Sequence, residues 1–358
     1  MRDDLPPIRV LQFDSENGFQ LSTDWSEHVD VGVPDYRLTL PLTSALSRLG
    51  TAIQMADEFL RQHHPMLVMT QAGEDTALAF SLAAQRHGVP IIHMEAGLRS
   101  FDRQSSTETN RVMCDHVSGL LYTSEWVAHD NLSREGIPAD RVQFVGNLLM
   151  DTIKSVLPQA SQPKYTLRQL NLPTQMLKNK KGVGVVYVRA ADLTTDVTRL
   201  THLVRALKTT SAELPLIWPL DELTRALMAR HGLLPSPQES QITILPIIPY
   251  HKMIGLLSAA RCVLTDSTTV QEEATILGVP CLTLNDHTER RITVEQGSNI
   301  VVGHNISLIG RAVAEILRGS GKTGRLPKFW DGQSAHRVTE HLASWLKTRV
   351  NTSHKVHD

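Results

Sequence analysis

The segment His93-Met-Glu-Ala-Gly-Leu-Arg-Ser100 combines an acid, a cation and a glycine directly after a short aliphatic run. A carboxylate such as Glu95 can act as a general acid or base when it lies within hydrogen-bond reach of a substrate. Gly97 permits the tight backbone turn that would present this carboxylate. Glu95 and Arg99 could equally form a structural ion pair, and the local pattern does not decide between the two interpretations.

A second segment, Asp266-Ser-Thr-Thr-Val-Gln-Glu-Glu273, is typical of a hydroxyl-rich turn that opens a helix. The backbone N–H groups of a helix N-terminus can hold a phosphate. Glu272 or Glu273 could then reach a ribose diol, as acids do in other nucleotide sites. In the alternative interpretation Asp266 or Ser267 simply caps the helix.

Two further segments carry charged side chains. Glu108-Thr-Asn-Arg111 opens a predicted helix whose later turns carry Asp115 and Ser118. The segment 285–291 follows another aliphatic run and places two arginines beside a Thr-Glu step. That arrangement is about equally consistent with a loop that binds a diphosphate and with a surface loop that binds no ligand.

The elements that must position these segments alternate between strands and helices. Strands that are apolar on both faces and alternate with helices are typical of a parallel sheet covered on both sides. The predicted strands are 9–13, 66–70, 90–93, 119–122 and 142–145, then 184–188, 214–218, 242–245, 262–265, 280–284 and 299–302. Predicted helices include 43–61 and 76–87. Open parallel sheets bind ligands at the carboxyl ends of their strands, where all these polar segments lie.

The strand–helix pattern occurs twice, which predicts two Rossmann-like domains. A chain of 358 residues suits two domains. We place them at 1–160 and 182–332, because 157–181 is rich in Pro, Ser, Lys and Gly. The remainder, 333–358, contains a predicted helix at 333–350, which by analogy with two-domain folds of this kind crosses back to the first domain.

Composition excludes several function classes. Hydrophobic residues are 41% and charged residues 20%, which argues against disorder. A net charge of −1 leaves no basic surplus for nucleic acid. The three cysteines, Cys114, Cys262 and Cys281, show no zinc spacing and are expected to be buried in a reducing compartment. No segment has the length and apolarity of a membrane span or of a secretory signal, so we expect a cytoplasmic protein without a metal.

Taken together, the motifs resemble those of the non-hydrolysing UDP-N-acetylglucosamine 2-epimerase family. The resemblance rests on HMEAGLRS, ETNR, Val145-Gly-Asn147, LTDSTTVQEEA, HTER and WDGQSAHR, in consistent order over nearly the whole chain, and on an early loop at 33–38. It implies an α/β, GT-B-like fold of two Rossmann-like domains with parallel sheets and an interdomain cleft. It also implies interconversion of UDP-GlcNAc and UDP-ManNAc by elimination and re-addition of UDP, without a cofactor.

The resemblance assigns roles to individual residues. Glu95 matches the family's catalytic glutamate, and Glu108 and Arg111 lie in the neighbouring catalytic motif. The residues implied in binding UDP or the sugar are Ser267, Thr268, Thr269, Glu273, Thr288, Arg290 and Arg99. The implied ligand is UDP-GlcNAc or a related UDP-sugar, and the expected assembly is a homodimer or a heteromer with a related enzyme.

Several positions depart from the family pattern. Residues that replace acid/base groups or glycines of the family are Gly73, Thr107, Arg189, Thr268 and Thr269, with Asp192 at the acid of the loop that contains Arg189. Glu74 or Asp75 could replace the acid lost at 73 only if the loop shifts. The first predicted strand aligns better with the family's second, so we expect the opening strand–helix unit and its arginine loop to be missing.

These departures leave two hypotheses open. The chain is either a divergent epimerase that uses Glu95 with Glu108 or Asp75, or a catalytically degenerate paralogue that binds a nucleotide sugar. The paralogue would act as a partner or regulatory subunit in surface-polysaccharide synthesis. A glycosyltransferase on the same scaffold is a weaker third hypothesis, because fold alone does not assign function.

Overall fold

The computed structural model describes residues 5–15, 33–41, 43–71, 73–160, 178–188, 197–236 and 238–354, with a few single positions between 160 and 178. Arg189 and Asp192 lie outside the described residues. The chain divides into two compact units, unit 1 with residues 1–151 and 328–358 and unit 2 with residues 152–327. Each unit contains parallel sheets and helices, which confirms the predicted α/β class.

Unit 1 contains two parallel sheets. Strands β1 (Leu11–Ser15) and β2 (Tyr36–Leu40) form a pair, and β3 (Val68–Gln71), β4 (Ile91–Met94), β5 (Leu120–Thr123) and β6 (Val142–Phe144) form a four-stranded sheet in that order. The helices that accompany them are α1 (Ala45–His63), α2 (Asp75–Arg86), α3 (Ser106–Val117), α4 (Trp126–Arg134) and α5 (Leu148–Val156), and α12 (Ser334–His354) near the chain's end. Leu342 of α12 packs on Ile92 and Tyr122, so this helix covers the four-stranded sheet.

Strand β2 corrects the expectation of a loop at 33–38. Tyr36, Leu38 and Leu40 are half-buried and alternate with the exposed Arg37 and Thr39. This strand therefore has one packed face and one exposed face, whereas the sequence pattern used to find strands requires both faces to be apolar. The other predicted strands of unit 1 are present, with ends shifted by up to two residues.

Unit 2 contains one six-stranded parallel sheet in the order β12-β11-β10-β7-β8-β9. Its elements are β7 (Gly184–Tyr187), α6 (Val197–Glu213), β8 (Leu216–Pro219), α7 (Glu222–Arg230), β9 (Ile242–Leu245), α8 (Tyr250–Ala259), β10 (Cys262–Thr265), α9 (Thr268–Leu277), β11 (Cys281–Thr283), α10 (Arg291–Glu295), β12 (Asn299–Val301) and α11 (Ile306–Leu317). The predicted strands at 242–245 and 262–265 have the observed bounds. The core of the unit is formed by aliphatic side chains from the strands and from α6 and α11, around the fully buried Trp218.

Parallel pairing brings the polar segments to the sheet edges where ligands bind in open α/β folds. In unit 1, β3 and β4 are neighbours, so the loops that follow Gln71 and Met94 start side by side. In unit 2, β10 and β11 are neighbours, which places the loops after Thr265 and Thr283 next to each other.

All three cysteines are buried and unbridged. Over the described part of the chain, no helix combines the length and the apolarity needed to cross a membrane. Within the same residues, no group of three or more His, Cys, Asp or Glu side chains is arranged to hold a metal ion.

Candidate active site

Glu95 follows β4 with a left-handed backbone, φ +57°. For a residue with a Cβ this conformation costs about 1–2 kcal/mol, because the Cβ approaches the following carbonyl oxygen. Such strain persists only where the surrounding structure imposes it, and it clusters at active sites and ligand clamps. The side chain is half-buried. The fold thus holds a partly accessible carboxylate at the carboxyl end of the sheet.

The turn predicted at Gly97 is present, with φ +78°. A Cβ on this residue would stand 2.6 Å from the carbonyl oxygen of Ala128 and 2.9 Å from Leu132 Cγ, so only glycine fits. Its N–H donates to Asp115 Oδ2 at 3.0 Å, and its carbonyl oxygen accepts from Asn131 Nδ2 at 2.9 Å. Both backbone groups of Gly97 are therefore fixed by buried side chains.

Arg99 lies in a buried charge network centred on Asp115. Its Nη2 donates to Asp115 Oδ2 at 2.7 Å and to Glu135 Oε2 at 2.6 Å, and its Nη1 donates to the Leu98 carbonyl oxygen. His93 Nδ1 lies 2.6 Å from Asp115 Oδ1. Arg99 is 2% exposed, so its donors point into the protein and hold the loop. Arg99 forms ion pairs with Asp115 and Glu135.

The network sets the charge state of Asp115. Burial acts to raise the pKa of this carboxyl, but the hydrogen bond from His93 and the charges of His93 and Arg99 outweigh it and lower the pKa. Burial likewise acts to lower the pKa of Arg99, and the hydrogen bonds and charges of Glu135 and Asp115 raise it instead. Asp115 is therefore an anion that anchors His93, Gly97 and Arg99.

Glu108 holds the far end of the same loop. Its Oε2 accepts from the N–H and the hydroxyl of Ser100 at 2.8 and 3.0 Å, and its Oε1 accepts from the N–H of Phe101 at 2.9 Å. Phe101 has a second left-handed backbone, φ +61°. Glu108 as a whole residue is 6% exposed. The structure places this predicted catalytic residue as a clamp on the loop that begins at Glu95.

Gly73 packs directly on α3. A Cβ at this position would collide with the carbonyl oxygen of Thr107 and stand 2.7 Å from Thr107 Cγ2 and 2.9 Å from Arg111 Cγ. Asn110 Nδ2 donates to the Gly73 carbonyl oxygen at 2.9 Å and to Asp75 Oδ1 at 2.8 Å. The loop after β3 is thus fixed on the helix that carries Glu108 and the buried Arg111.

In unit 2, Ser267 is the N-cap of α9, and its hydroxyl accepts from the N–H of Val270. The Ser267 N–H donates to Thr265 Oγ1 at 3.0 Å, and Thr265 Oγ1 donates to the Tyr187 carbonyl oxygen at 2.7 Å. Thr268 and Thr269 form the first helical turn and are half-buried. The predicted helix start is present, and the backbone at both threonines is helical rather than left-handed, so no glycine is required for it.

The acids of α9 point into the protein. Glu272 pairs with Arg290, with 3.2 Å between Oε2 and Nε. Glu273 Oε1 accepts from the Tyr250 hydroxyl at 2.9 Å, and the residue is 2% exposed. Burial raises the pKa of Glu273 to about 8, against the lowering effect of the Tyr250 hydrogen bond. Glu273 and Arg290, both predicted to contact the nucleotide, are therefore buried in this structure, where Glu273 contacts Tyr250 and Arg290 contacts Glu272.

Hydrogen bonds join the two neighbouring loops of unit 2. Asn285 Nδ2 donates to the Asp266 carbonyl oxygen at 3.0 Å. Thr288 Oγ1 donates to Gln271 Oε1 at 2.6 Å and accepts from the Arg290 N–H at 3.1 Å. These hydrogen bonds hold the loop that contains Thr288 beside the first turn of α9, where Ser267, Thr268 and Thr269 lie.

Sequence reasoning did not identify four side chains that shape these sites: Asn110, Glu135, Tyr250 and Gln271. Each acts through a partner 17 to 37 positions away in the sequence. Local spacing carries no signal for such pairs. Asn110 and Gln271 were quoted as members of the ETNR and LTDSTTVQEEA motifs, but no role was assigned to either.

The sequence matches the family model described as UDP-N-acetylglucosamine 2-epimerase over residues 15–343. The chain belongs to this family. It is 32% identical over 330 residues to UDP-N-acetylglucosamine 2-epimerase of Methanococcus maripaludis, covering 91% of this chain and 88% of that protein. It is also 32% identical to UDP-2,3-diacetamido-2,3-dideoxy-D-glucuronate 2-epimerase of Pseudomonas aeruginosa, covering 90% and 87%.

A solved structure gives the same result. The chain superposes with a TM-score of 0.80 and 30% identity on UDP-GlcNAc 2-epimerase of Methanocaldococcus jannaschii, crystallised with UDP-GlcNAc and UDP, covering 90% of this chain and 87% of that one. The fold is therefore the GT-B-like fold of this 2-epimerase family. Gly73 and Thr107, the two positions predicted from the motifs to depart from the family pattern, are in contact in this chain.

Proposed function

We propose that this chain is a divergent UDP-sugar 2-epimerase in which Glu95 is the base that removes the proton from C2 of the sugar. The observation that carries the proposal is the left-handed backbone of Glu95 at the end of β4. Its neighbour Gly97 is fixed by Asp115 and Asn131, and Arg99 by Asp115 and Glu135. The buried contacts of Gly97 and Arg99 fix the loop that carries Glu95. A strained backbone that presents a partly accessible carboxylate on a fixed loop is typical of a functional site.

In this reaction Glu95 takes the C2 proton, and the electron pair of the C–H bond forms a C1=C2 double bond. The C1–O bond to the diphosphate breaks at the same time, and its electron pair leaves with UDP. Re-addition of UDP at C1 and of a proton to the opposite face of C2 gives the epimer. General acid–base help of this kind contributes about 10²–10⁴-fold per group.

We infer that the second acid is Asp75 rather than Glu108. The Glu108 oxygens accept three hydrogen bonds from Ser100 and Phe101, so this carboxylate is committed to the loop. Asp75 lies in the first turn of α2, and Asn110 binds one of its oxygens, Oδ1. Glu108 and Arg99 are then positioning residues that hold the loop after β4. Arg111, on the same helix as Glu108, is assigned to contact with the sugar.

The diphosphate of UDP is assigned to the N-terminus of α9 in unit 2. Unpaired N–H groups of a first helical turn and the hydroxyls of Ser267, Thr268 and Thr269 suit a phosphate. Thr288 stands on the neighbouring loop. The M. jannaschii relative, whose structure contains UDP-GlcNAc and UDP, supports a UDP-sugar as the ligand of this chain.

The packing of Gly73 on Thr107 favours a second candidate function. At two positions where the family motifs are expected to carry acids, this chain has a glycine and a threonine in contact, and a Cβ at 73 would strike the Thr107 carbonyl oxygen. A protein that binds the UDP-sugar without turning it over, as a partner or regulatory subunit in surface-polysaccharide synthesis, would keep the fold and lose these groups.

Incubation of the purified protein with UDP-GlcNAc in D2O, followed by proton NMR, separates the two functions. The epimerase predicts a UDP-ManNAc signal and loss of the C2 proton signal, both abolished by Glu95→Gln. The binding protein predicts neither change, together with saturable UDP-GlcNAc binding in calorimetry. UDP-glucose serves as the matched control ligand because it lacks the acetamido group at C2.

A further inference from the structure

A left-handed backbone occurs at four residues other than glycine in the described part of the chain: His64, Glu95, Phe101 and Phe329. Each of them needs a compensating interaction, because the Cβ approaches the following carbonyl oxygen in this conformation. His64 has one at the end of α1, where its N–H donates to the Leu60 carbonyl oxygen and closes the helix. Phe101, with φ +61°, lies six residues after Glu95 in the same loop.

The packing of Phe329 accounts for its own left-handed backbone. Its ring stacks on that of Phe144, with 4.9 Å between the ring centroids, and the Arg337 guanidinium lies 4.1 Å from its centroid. Phe101 is instead 58% exposed, so most of its surface has no such packing. The free protein therefore carries both a strained backbone and an exposed aromatic ring at Phe101, and only an interaction outside the free chain would compensate for the two.

The backbone around Phe101 is fixed by hydrogen bonds. The N–H of Phe101 and both donors of Ser100 bind the carboxylate of Glu108. The Asp102 N–H donates to Ser100 Oγ at 3.3 Å, and the Gln104 N–H donates to Asp102 Oδ1 at 2.9 Å. The exposed ring is consequently presented by an ordered turn, which reduces the conformational entropy that a bound ligand must remove.

The turn that contains Phe101 lies on the ligand-binding side of the sheet. Helix α3 connects the parallel neighbours β4 and β5, so its N-terminus lies beyond the carboxyl ends of these strands. Gly97 binds Asp115, whereas Phe101 binds Glu108, seven positions nearer the start of α3. Seven helical residues span about 10 Å. The loop therefore runs beside α3 from the sheet edge towards the helix N-terminus and presents Phe101 there.

The same part of α3 holds a group that the proposed function uses. Glu108 binds the Phe101 N–H, and Asn110, two positions later, binds Asp75 Oδ1. Arg111 follows on the same helix. Phe101 thus shares its supporting helix turn with the proposed second acid and with the arginine assigned to the sugar.

We propose that Phe101 is a specificity-determining residue whose ring packs on the apolar face of the sugar of a UDP-sugar. This inference rests on the proposed function, which places the sugar beside Glu95. A pyranose presents C–H groups on its faces and hydroxyls at its rim, and aromatic side chains supply much of the apolar lining of ligand sites. Binding would cover the exposed ring and compensate for the strained backbone. UDP alone has no pyranose and would not make this contact.

The test combines thermal unfolding with calorimetric titration of UDP-GlcNAc and of UDP. Phe101→Gly should raise the thermal midpoint by about 2–4 °C, because it removes the strain. It should also weaken UDP-GlcNAc binding about threefold to tenfold and leave UDP binding unchanged. Phe101→Asn, which tolerates the left-handed backbone without the added flexibility of glycine, should weaken UDP-GlcNAc binding to a similar extent. Phe101→Tyr keeps the ring and should retain both affinities.

His64→Gly is the matched control. His64 has the same left-handed backbone and is exposed, but it ends the helix that leads into β3 and so lies at the amino end of that strand. This variant should raise the thermal midpoint in the same way, while the affinities for UDP-GlcNAc and UDP stay at their wild-type values.

Three results would overturn the role of Phe101. They are a lower thermal midpoint for Phe101→Gly, which would show that the ring stabilises the free protein, an unchanged affinity of that variant for UDP-GlcNAc, and an equal loss of affinity for UDP. None of these measurements requires turnover. Absence of deuterium at C2 of UDP-GlcNAc after incubation with wild type in D2O would contradict the proposed epimerase, whereas the contact of Phe101 with the sugar is decided by the affinities alone.

Discussion

Gly73 and Thr107 are in such close contact that a Cβ at position 73 would collide with the Thr107 carbonyl oxygen. The two positions come from different elements, the loop after β3 and the first turn of α3, and Asn110 joins these elements through the Gly73 carbonyl oxygen. Gly73 and Thr107, which the family resemblance predicts to replace acids, are therefore packed against each other within unit 1.

This contact predicts that Gly73→Ala destabilises the protein. Overpacking of this kind costs about 1–3 kcal/mol. Adding Thr107→Ala to Gly73→Ala should not restore the lost stability, because the atom nearest to the new Cβ is the backbone carbonyl oxygen of residue 107. Gly50→Ala in α1 is the control, since no atom lies within 4 Å of its added Cβ, and it should raise stability by about 0.5–1 kcal/mol. Urea unfolding of the three variants measures these changes; equal stability of Gly73→Ala and wild type would contradict the close packing.

The left-handed backbone of Glu95 predicts that glycine is more stabilising than alanine at this position, the reverse of their order in a helix. Glu95→Gly should be more stable than Glu95→Ala by about 1 kcal/mol, because only glycine adopts a left-handed backbone without cost. At the helical position Glu340, on α12, the alanine variant should instead be more stable by about 1 kcal/mol. Thermal unfolding gives both differences. Alanine being favoured at both positions would show that Glu95 is not strained.

Glu108 is predicted to act on the loop. Glu108→Gln replaces one acceptor oxygen by a donor, which leaves a Ser100 or Phe101 N–H unsatisfied at a cost of about 1–3 kcal/mol. Hydrogen exchange at these two amides should accelerate while α3 stays protected. Glu315→Gln, at an exposed position on α11, is the control and should leave both amides unchanged. A loss of activity with unchanged exchange at Ser100 and Phe101 would instead point to a direct catalytic role for Glu108.

The fold as a whole was predictable because strands such as β9 (Ile-Thr-Ile-Leu) and β10 (Cys-Val-Leu-Thr) are short, largely apolar runs that alternate with helical segments. Strand β2 was missed because Arg37 and Thr39 on its open face interrupt the pattern. The motif residues around Glu95 were also predictable, but their neighbours were not: Arg99 contacts Glu135 and Gly97 contacts Asn131, pairs that only the folded chain brings together. The left-handed backbone of Glu95 carries no sequence signal, since glutamate is uncommon there.

Glu273 predicts a pH-dependent stability. Its folded pKa is raised from 4.5 to about 8, so folding favours the protonated form. This stabilising contribution is complete below the unfolded pKa and is lost as the pH rises through the folded value, with a total on the order of a few kcal/mol. Urea unfolding between about pH 5 and pH 8 should show this fall in wild type and a flatter profile for Glu273→Gln.

Tyr250→Phe provides the matched control for that prediction. Its hydroxyl donates to Glu273 and lowers the pKa of that carboxyl. Removal of the hydroxyl should therefore move the pH window of the stability loss to higher pH. Identical pH profiles for wild type and Glu273→Gln would exclude Glu273 as the titrating group.

Deuterium content at C2 of UDP-GlcNAc after incubation in D2O tests the assignment of Glu95 most directly. If Glu95 is the base, wild type incorporates deuterium and Glu95→Gln does so about 10²–10⁴-fold more slowly. The control variant Glu315→Gln should incorporate deuterium at C2 of UDP-GlcNAc at the wild-type rate. Incorporation by Glu95→Gln at the wild-type rate, or none by wild type under conditions where UDP-GlcNAc binds, would contradict the role of Glu95 as the base.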